Sequence, residues 1–225
     1  MKYLILIADV DEFLPIKENL ADLIKKEYKI KRMPAFDFSF NGSDCTVVCF
    51  GIGKVNAATG AAVTLSTGTY DGVINTGWSG GVSGVHKGDI IVSDSCVECD
   101  FDFTVLGKLP GQKPYQDEYI YGCDNFLHTA CCGIDGFTHG KLGTGDLFLA
   151  DKEKKDNFKK IFGINAFDME SGALASVCSF FDVPFVSVRK ISDTADDVGT
   201  QDYRTSLRTD VTAFSDIIIE ILKHL

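Results

Sequence analysis

An α/β fold in a single domain is predicted from three observations. Short apolar runs alternate with amphipathic helical patterns along the chain, and no shift in composition marks a linker within residues 1–225. The segments that follow the apolar runs are rich in glycine and carboxylate. Strands alternating with helices imply a mainly parallel sheet covered on both faces. A chain of this length can bury about 70% of its unfolded surface in one core. In such folds ligands sit beyond the carboxyl ends of the strands, so the strand ends are where function is sought.

The elements follow in order. Residues 3–8 read as a buried strand, and 13–26 as a helix with Leu14, Ile16, Leu20 and Leu23 on its apolar face. Strands are expected over 28–33, 36–40 and 46–50, the last two joined by the hairpin signal Asn41-Gly42. Gly51-Ile52-Gly53 opens a helix carrying Val55, Ala58, Ala62 and Leu65, and strand 72–76 runs into a glycine-rich turn. A strand over 89–95, a looser stretch to about Pro114, a helix near 125–132 and a strand at 141–144 come next. Helix 152–162, the segment 166–168, helix 170–181, strand 185–191 and a last helix from about Arg208 complete the chain.

Composition removes several functional classes. The net charge is −10 and no basic stripe exists, so nucleic acid is not an expected partner. The lysines between 152 and 160 are interleaved with Glu153 and Asp156 and read as a solvated helix face. Acidic residues follow the first apolar run at once, and no run approaches the roughly 20 residues of a membrane span, so a cytoplasmic protein without membrane contact is expected. Eight cysteines lie in strand-like and helical apolar contexts, where buried thiols are expected rather than disulfides. Cys96-x-x-Cys99 and Cys131-Cys132 lack zinc-ribbon spacing and the four histidines are scattered in sequence, so no metal is expected.

The strand ends present Asp9, Asp11 and Glu12, then Gly51-Ile52-Gly53, then Gly77 to Gly81, then Gly145 to Phe148, Asp168-Met169-Glu170 and Ser192-Asp193. Glycines let a ligand approach the backbone, and carboxylates accept hydroxyl protons or protonate a leaving group. The set suits a neutral or cationic polyol-like ligand. Gly51-x-Gly53-Lys54 is not a phosphate-binding loop, because no hydroxyl residue follows the lysine. Taken singly, Glu170 also reads as a carboxylate complementing a helix dipole, and Asp193 as an ordinary cap.

In combination these blocks resemble the methylthioadenosine/S-adenosylhomocysteine nucleosidases of the purine nucleoside phosphorylase superfamily. The resemblance rests on residues 51–58, on Ile74 to Gly77 with Gly80-Gly81, and on Gly88 to Asp94. It continues through Gly145-Asp146 with Phe148, Asp168-Met169-Glu170, and Val183 to Val186 leading to Arg189 and Ile191-Ser192-Asp193-x-Ala195-Asp196. It runs collinearly from residue 1 to about 203 and thins between Val105 and Lys141. It implies one three-layer α/β domain around a mixed, partly barrel-like central sheet, a cytoplasmic homodimer without metal or cofactor, and a place in nucleoside catabolism such as methionine salvage. The implied ligand is an adenine nucleoside with a 5′-thio group.

The resemblance also implies roles. Asp193, positioned by Ser192, protonates purine N7; Glu12 activates the attacking water; and Glu170 binds the ribose hydroxyls, with Met169 packed on the sugar. Arg189 supports the acid, Phe148 stacks on the purine, and the backbone of Leu149 reads the adenine edge. Ile52 and Tyr203 fall where the 5′ substituent is held, and Phe103 and Gly80 are further positions expected to bind the substrate. Leaving-group protonation is demanded by the chemistry itself, because an adenine anion leaves poorly while the sugar carries oxocarbenium charge. An ordinary aspartate titrates near 4, so the site has to raise the pKa of Asp193.

Two departures stand out. Trp78-Ser79 replaces the family's Ser-Ala pair, and the expectation taken here is that the indole lines the pocket rather than turning away into a subunit contact. The segment after Phe103-Thr104, which in the family helps form the partner subunit's 5′ pocket, is shorter than usual. Two other functions compete. One is a phosphorylase of the same superfamily, disfavoured by Asn75 where related phosphorylases carry arginine and by the acidic first strand end. The other is a non-catalytic nucleoside binder, disfavoured by the presence of all three carboxylates.

Overall fold

Strand β5 (Gly72–Gly81) is the hinge of the architecture, because it pairs on both sides and again at its end. The computed structural model describes residues 1–195 and 213–225. On one side of β5 lies the parallel strand β1 (Lys2–Ile7), followed by β4 (Ser43–Cys49), also parallel, and then by the antiparallel strands β3 (Met33–Phe40) and β2 (Ile24–Ile30). On the other side β5 pairs with β10 (Phe185–Asp193), which pairs with β6 (Ile90–Glu98). β6 continues to β8 (Phe137–Thr144), β8 to β9 (Ala166–Asp168), and β9 returns to the end of β5. Five strands therefore close on themselves, as the partly barrel-like sheet requires, and four extend from them as an open wing. A three-residue strand that the sequence reading missed, β7 (Ile120–Gly122), pairs with β6.

Helices cover both faces. α1 (Val10–Asn19), α3 (Asn125–Cys132) and α6 (Ala213–His224) lie on one side; α2 (Lys54–Leu65) and α5 (Ser171–Phe180) lie on the other. Strand β1 shows why its apolar run is unbroken. Tyr3, Ile5 and Ile7 pack with Phe13, Ile16, Phe214 and Ile218, while Leu4 and Leu6 pack with Ala57, Ala61 and Leu174. A smaller core of Val97, Cys99, Leu149, Ile164 and Phe167 lies where α4 (Lys152–Phe162) meets the barrel.

Two expectations are corrected. The helix expected over 13–26 ends at Asn19, a short 3-10 turn follows, and residues 24–30 become the outer strand β2, exposing Leu14. The helical spacing of Leu20 and Leu23 continued across a real boundary. β5 does not stop at Thr76 but runs on to Gly81, its glycines serving close side-chain approach rather than a turn. Asn41-Gly42 does form the hairpin, with positive φ at both residues. All eight cysteines carry free thiols. No helix among the described residues is long and apolar enough to cross a membrane.

Candidate active site

The carboxyl ends of β1, β5, β9 and β10, with the loops after β4 and β8, enclose a cavity of about 200 Å³. Its wall contains Asp9, Glu12, Ile52, Trp78, Ser79, Gly80, Phe148, Leu149, Asp168, Met169, Glu170, Arg189, Ser192 and Asp193. Every candidate from the sequence is brought together there except Phe103 and Tyr203. Phe103 stacks on Phe101, with ring centroids 5.7 Å apart, and does not line this chain's cavity. Tyr203 lies outside the described residues.

The floor is a cluster of buried charge. Arg189, 1% exposed, points from β10 between Asp168 and Glu170: Nε lies 3.1 Å from Asp168 Oδ2, and Nη2 donates to Glu170 Oε2 at 3.2 Å. Burial alone would pull the guanidinium's pKa down; the attraction of Asp168 and Glu170 outweighs it and keeps the group charged. Asp168 is further held by Thr144 Oγ1 at 2.8 Å and by the backbone amides of Glu170 and Ser171 at 3.0 and 2.9 Å, so it also caps α5. Glu170 Oε1 accepts from the amide of Gly53 at 3.0 Å, which ties the loop after β4 to the floor.

Glu12 enters from the first turn of α1. Its Oε1 accepts from the Trp78 amide at 2.9 Å, while Oε2 has no hydrogen-bond partner among the described residues. Burial is the main cause that pushes its carboxyl up to about 8, against the opposing pull of the Trp78 amide and Arg189. Burial likewise raises Glu170, with Arg189 opposing. Gly77 makes this packing possible. A Cβ there would stand 2.7 Å from Arg189 Nη1 and 2.9 Å from Glu12 Oε2, so any other residue would push the guanidinium or the carboxylate out of place.

Asp193, 2% exposed, ends β10 just past an irregularity in its register with β5. Ser192 Oγ donates to its Oδ2 at 2.5 Å and the Ala195 amide to its Oδ1 at 2.7 Å, which fixes the carboxyl plane. Ile52 and Phe148 are about half exposed at the mouth, whereas Leu149 is buried.

A cavity lined by both carboxylates and apolar side chains suits the polyol-like ligand anticipated from the strand ends, and comparison with known proteins gives the family. The phosphorylase superfamily model matches residues 2–223. A 5′-methylthioadenosine/S-adenosylhomocysteine nucleosidase of Marinomonas sp. is 32% identical over 220 residues, covering 95% of this chain and 94% of its own. The chain belongs to the 5′-methylthioadenosine/S-adenosylhomocysteine nucleosidase family of the phosphorylase superfamily. The solved nucleosidase of Colwellia psychrerythraea, in complex with adenine, is 30% identical with TM-score 0.91, and the match covers 100% of this chain and 96% of that one. That of Neisseria meningitidis, in complex with methylthio-immucillin-A, is 28% identical with TM-score 0.90, covering 100% and 99%.

Within this nucleosidase-family chain, three readings change. Trp78 lines the cavity, and its amide holds Glu12, but its indole is 7% exposed and packs edge-on against Phe214 of α6 at 5.0 Å. Its large surface therefore joins the core under the last helix, an intramolecular partner that neither a pocket wall nor a subunit contact anticipated. Asn75 does not face the cavity. Its side chain is buried between Leu6 O and Ser187 Oγ, at 2.9 Å each, so its identity carries no argument about phosphate. Arg189, expected to support the acid, makes its ion pairs with Asp168 and Glu170. The sequence reading placed Asp9, Ser79 and Asp168 at strand ends but gave them no role; the pairing of Asp168 with Arg189 needs the closed barrel.

Proposed function

We propose that the chain hydrolyses the N-glycosidic bond of 5′-thio-substituted adenosines, methylthioadenosine and S-adenosylhomocysteine among them, with 5′-deoxyadenosine as a further candidate. The observation that carries this reading is the convergence of Glu12, Glu170 and Asp193 in one cavity where Arg189, the single guanidinium among the described residues, is already paired. Asp193, aligned by Ser192, donates its proton to N7 as the bond between N9 and C1′ breaks, and adenine leaves neutral. Glu170, anchored by Gly53 and Arg189, accepts hydrogen bonds from the ribose hydroxyls, with Met169 against the sugar. Water attacks C1′ and gives its proton to the ionised form of Glu12, which burial makes strongly basic by pushing the carboxyl up to about 8. Phe148 at the mouth stacks on the purine, the Leu149 backbone meets its edge, Gly80 lets the nucleoside lie close to β5, and Ile52 borders the 5′ group.

Hydrolysis is favoured over phosphorolysis by the charge of the wall. Asp9, Asp168 and Glu170 outnumber the one arginine among the described residues of the wall, an arrangement that repels a phosphate dianion. The chain works in the cytoplasm as a homodimer, in this reading, with Phe103 contributing to the 5′ pocket across the interface, and it serves nucleoside catabolism such as methionine salvage. The exposed side chains of Val105, Leu106 and Leu109 supply apolar surface for such a contact.

The deciding experiment is incubation with each of the three nucleosides, with and without phosphate, while adenine and the sugar product are followed. Adenine release independent of phosphate, with the free 5-substituted ribose, is expected. A ribose 1-phosphate product, or no release from any of the three, overturns the proposal.

A further inference from the structure

A second constellation lies on the barrel wall away from the cavity, where β6, β8 and α3 meet. β6 slips its register against β8 between Ser93 and Ser95, leaving Asp94 as the extra residue. Such a bulge re-aims a side chain, and here Asp94 is exposed although the residues before it in the strand are buried. His139 of β8 places Nδ1 3.0 and 3.1 Å from the two carboxylate oxygens of Asp94. α3 is capped by Asp124 and buries Leu127 and Cys131, which leaves the next residue, His128, facing the same carboxylate with Nε2 2.7 Å from Asp94 Oδ1. The two imidazoles stand edge to face, 6.0 Å between centroids.

We propose that Asp94, His128 and His139 form a site for a borderline divalent transition cation, with Zn²⁺ as the ion their chemistry fits. One ligand atom from each residue lies within 4.8 Å of the others. A tetrahedral zinc with bonds of about 2.0–2.1 Å spaces its ligand atoms roughly 3.3 Å apart, so the two short hydrogen bonds need open by only about half an ångström. Two imidazole nitrogens and one carboxylate oxygen suit zinc and its neighbours; magnesium and calcium demand oxygen-rich shells. Three protein ligands leave a fourth position for water. Cys132, one turn after His128, has Sγ 3.5 Å from His128 Nε2 and stands beside the set. None of the three ligands lines the catalytic cavity. The cation would bind α3 to β6 and β8, joining three segments far apart in sequence.

Linkage gives the test. The chelator-stripped full chain is titrated with zinc chloride by calorimetry, and melting is followed with and without zinc. One saturable equivalent and a zinc-dependent rise in Tm are expected. His128→Gln and His139→Gln should each weaken binding at least as much as the roughly 10–100-fold that loss of a partner behind a metal ligand costs. Both should abolish the Tm rise while adenine release stays at the wild-type rate, which shows the variants folded. His86→Gln, exposed on the loop before β6, should bind zinc like the wild type. Absence of one-equivalent binding, or undiminished binding by the His128 and His139 variants, which would place the zinc on thiols, overturns the proposal.

Discussion

The cavity floor and the cavity rim are both built from ion pairs, yet they obey different physics. On the floor, one buried guanidinium faces Asp168 and Glu170 at contact distance and Glu12 nearby, so negative groups outnumber positive ones where water is excluded. At the rim, Lys54 bridges Glu98 at 3.0 Å and Asp100 at 2.6 Å, and Lys113 pairs with Glu98, so charges balance and the side chains remain partly solvated. The backbone follows the same division. Asp146 caps the start of α2 by accepting from the Lys54 amide, and Asp100 accepts from the Asp146 amide, so the rim ties loops to one another. Unbalanced buried charge raises carboxyl pKa values; balanced charge nearer the surface makes a scaffold.

The contrast can be broken most strongly at Asp193. Asp193→Asn keeps the shape but removes the transferable proton, and turnover should fall by roughly 10²–10⁴-fold while inhibitor binding survives. Near-normal turnover would remove Asp193 from the acid's role.

Arg189→Met tests the floor as structure. Breaking a buried ion cluster on one side costs about 3–5 kcal/mol, because the carboxylates lose their compensation. Burial already raises Glu170, and its protonation relieves the cluster, so the loss, read by urea denaturation, should be smaller at pH 5 than at pH 8.

Glu12→Gln separates reactivity from stability. The folded chain keeps the Glu12 proton up to about pH 8, whereas the unfolded chain releases it near 4.5. Wild-type stability therefore falls as pH rises between those values, and the glutamine variant escapes the fall. Its Tm advantage should grow from pH 5 to pH 8 and then level off, as its activity is lost. An advantage independent of pH would contradict the raised carboxyl.

The smallest effect belongs to the rim. Lys54→Met should cost about 1 kcal/mol or less, since its pairs are partly solvated and a lysine at a helix N-terminus opposes the dipole. Its trace should appear in KM more than in kcat, measured by adenine release.

How much of this was legible in the sequence follows from range. α3 and α4 were readable because caps and helical periodicity are local: Asp124 and Asp151 accept amide bonds within three residues. The cavity residues were readable because each follows a strand, and strand ends in such sheets converge. What stayed hidden needed distant neighbours. Trp78 finds Phe214 only once the last helix folds over β5, and Asn75 is spent between β1 and β10. The glycines of β5 looked like a turn because nothing local reveals that Arg189 and Glu12 press on Gly77, and Ala195 and Asp193 on Gly80. Asp94, His128 and His139 meet through a bulge and a helix docking, which spacing does not encode.

The position of β10 in the sheet has a consequence for how the molecule is made. β5 and β6 are consecutive in sequence, but the strand that joins them laterally is the last of the ten. During synthesis both expose an unpaired edge until residues 185–193 leave the ribosome and slide between them, and such long-range pairing is slow to form. That late strand also carries Arg189, Ser192 and Asp193. A nascent or truncated chain lacking it therefore exposes two open strand edges and lacks a wall of its cavity at once, so closing the barrel and completing the cavity are the same event.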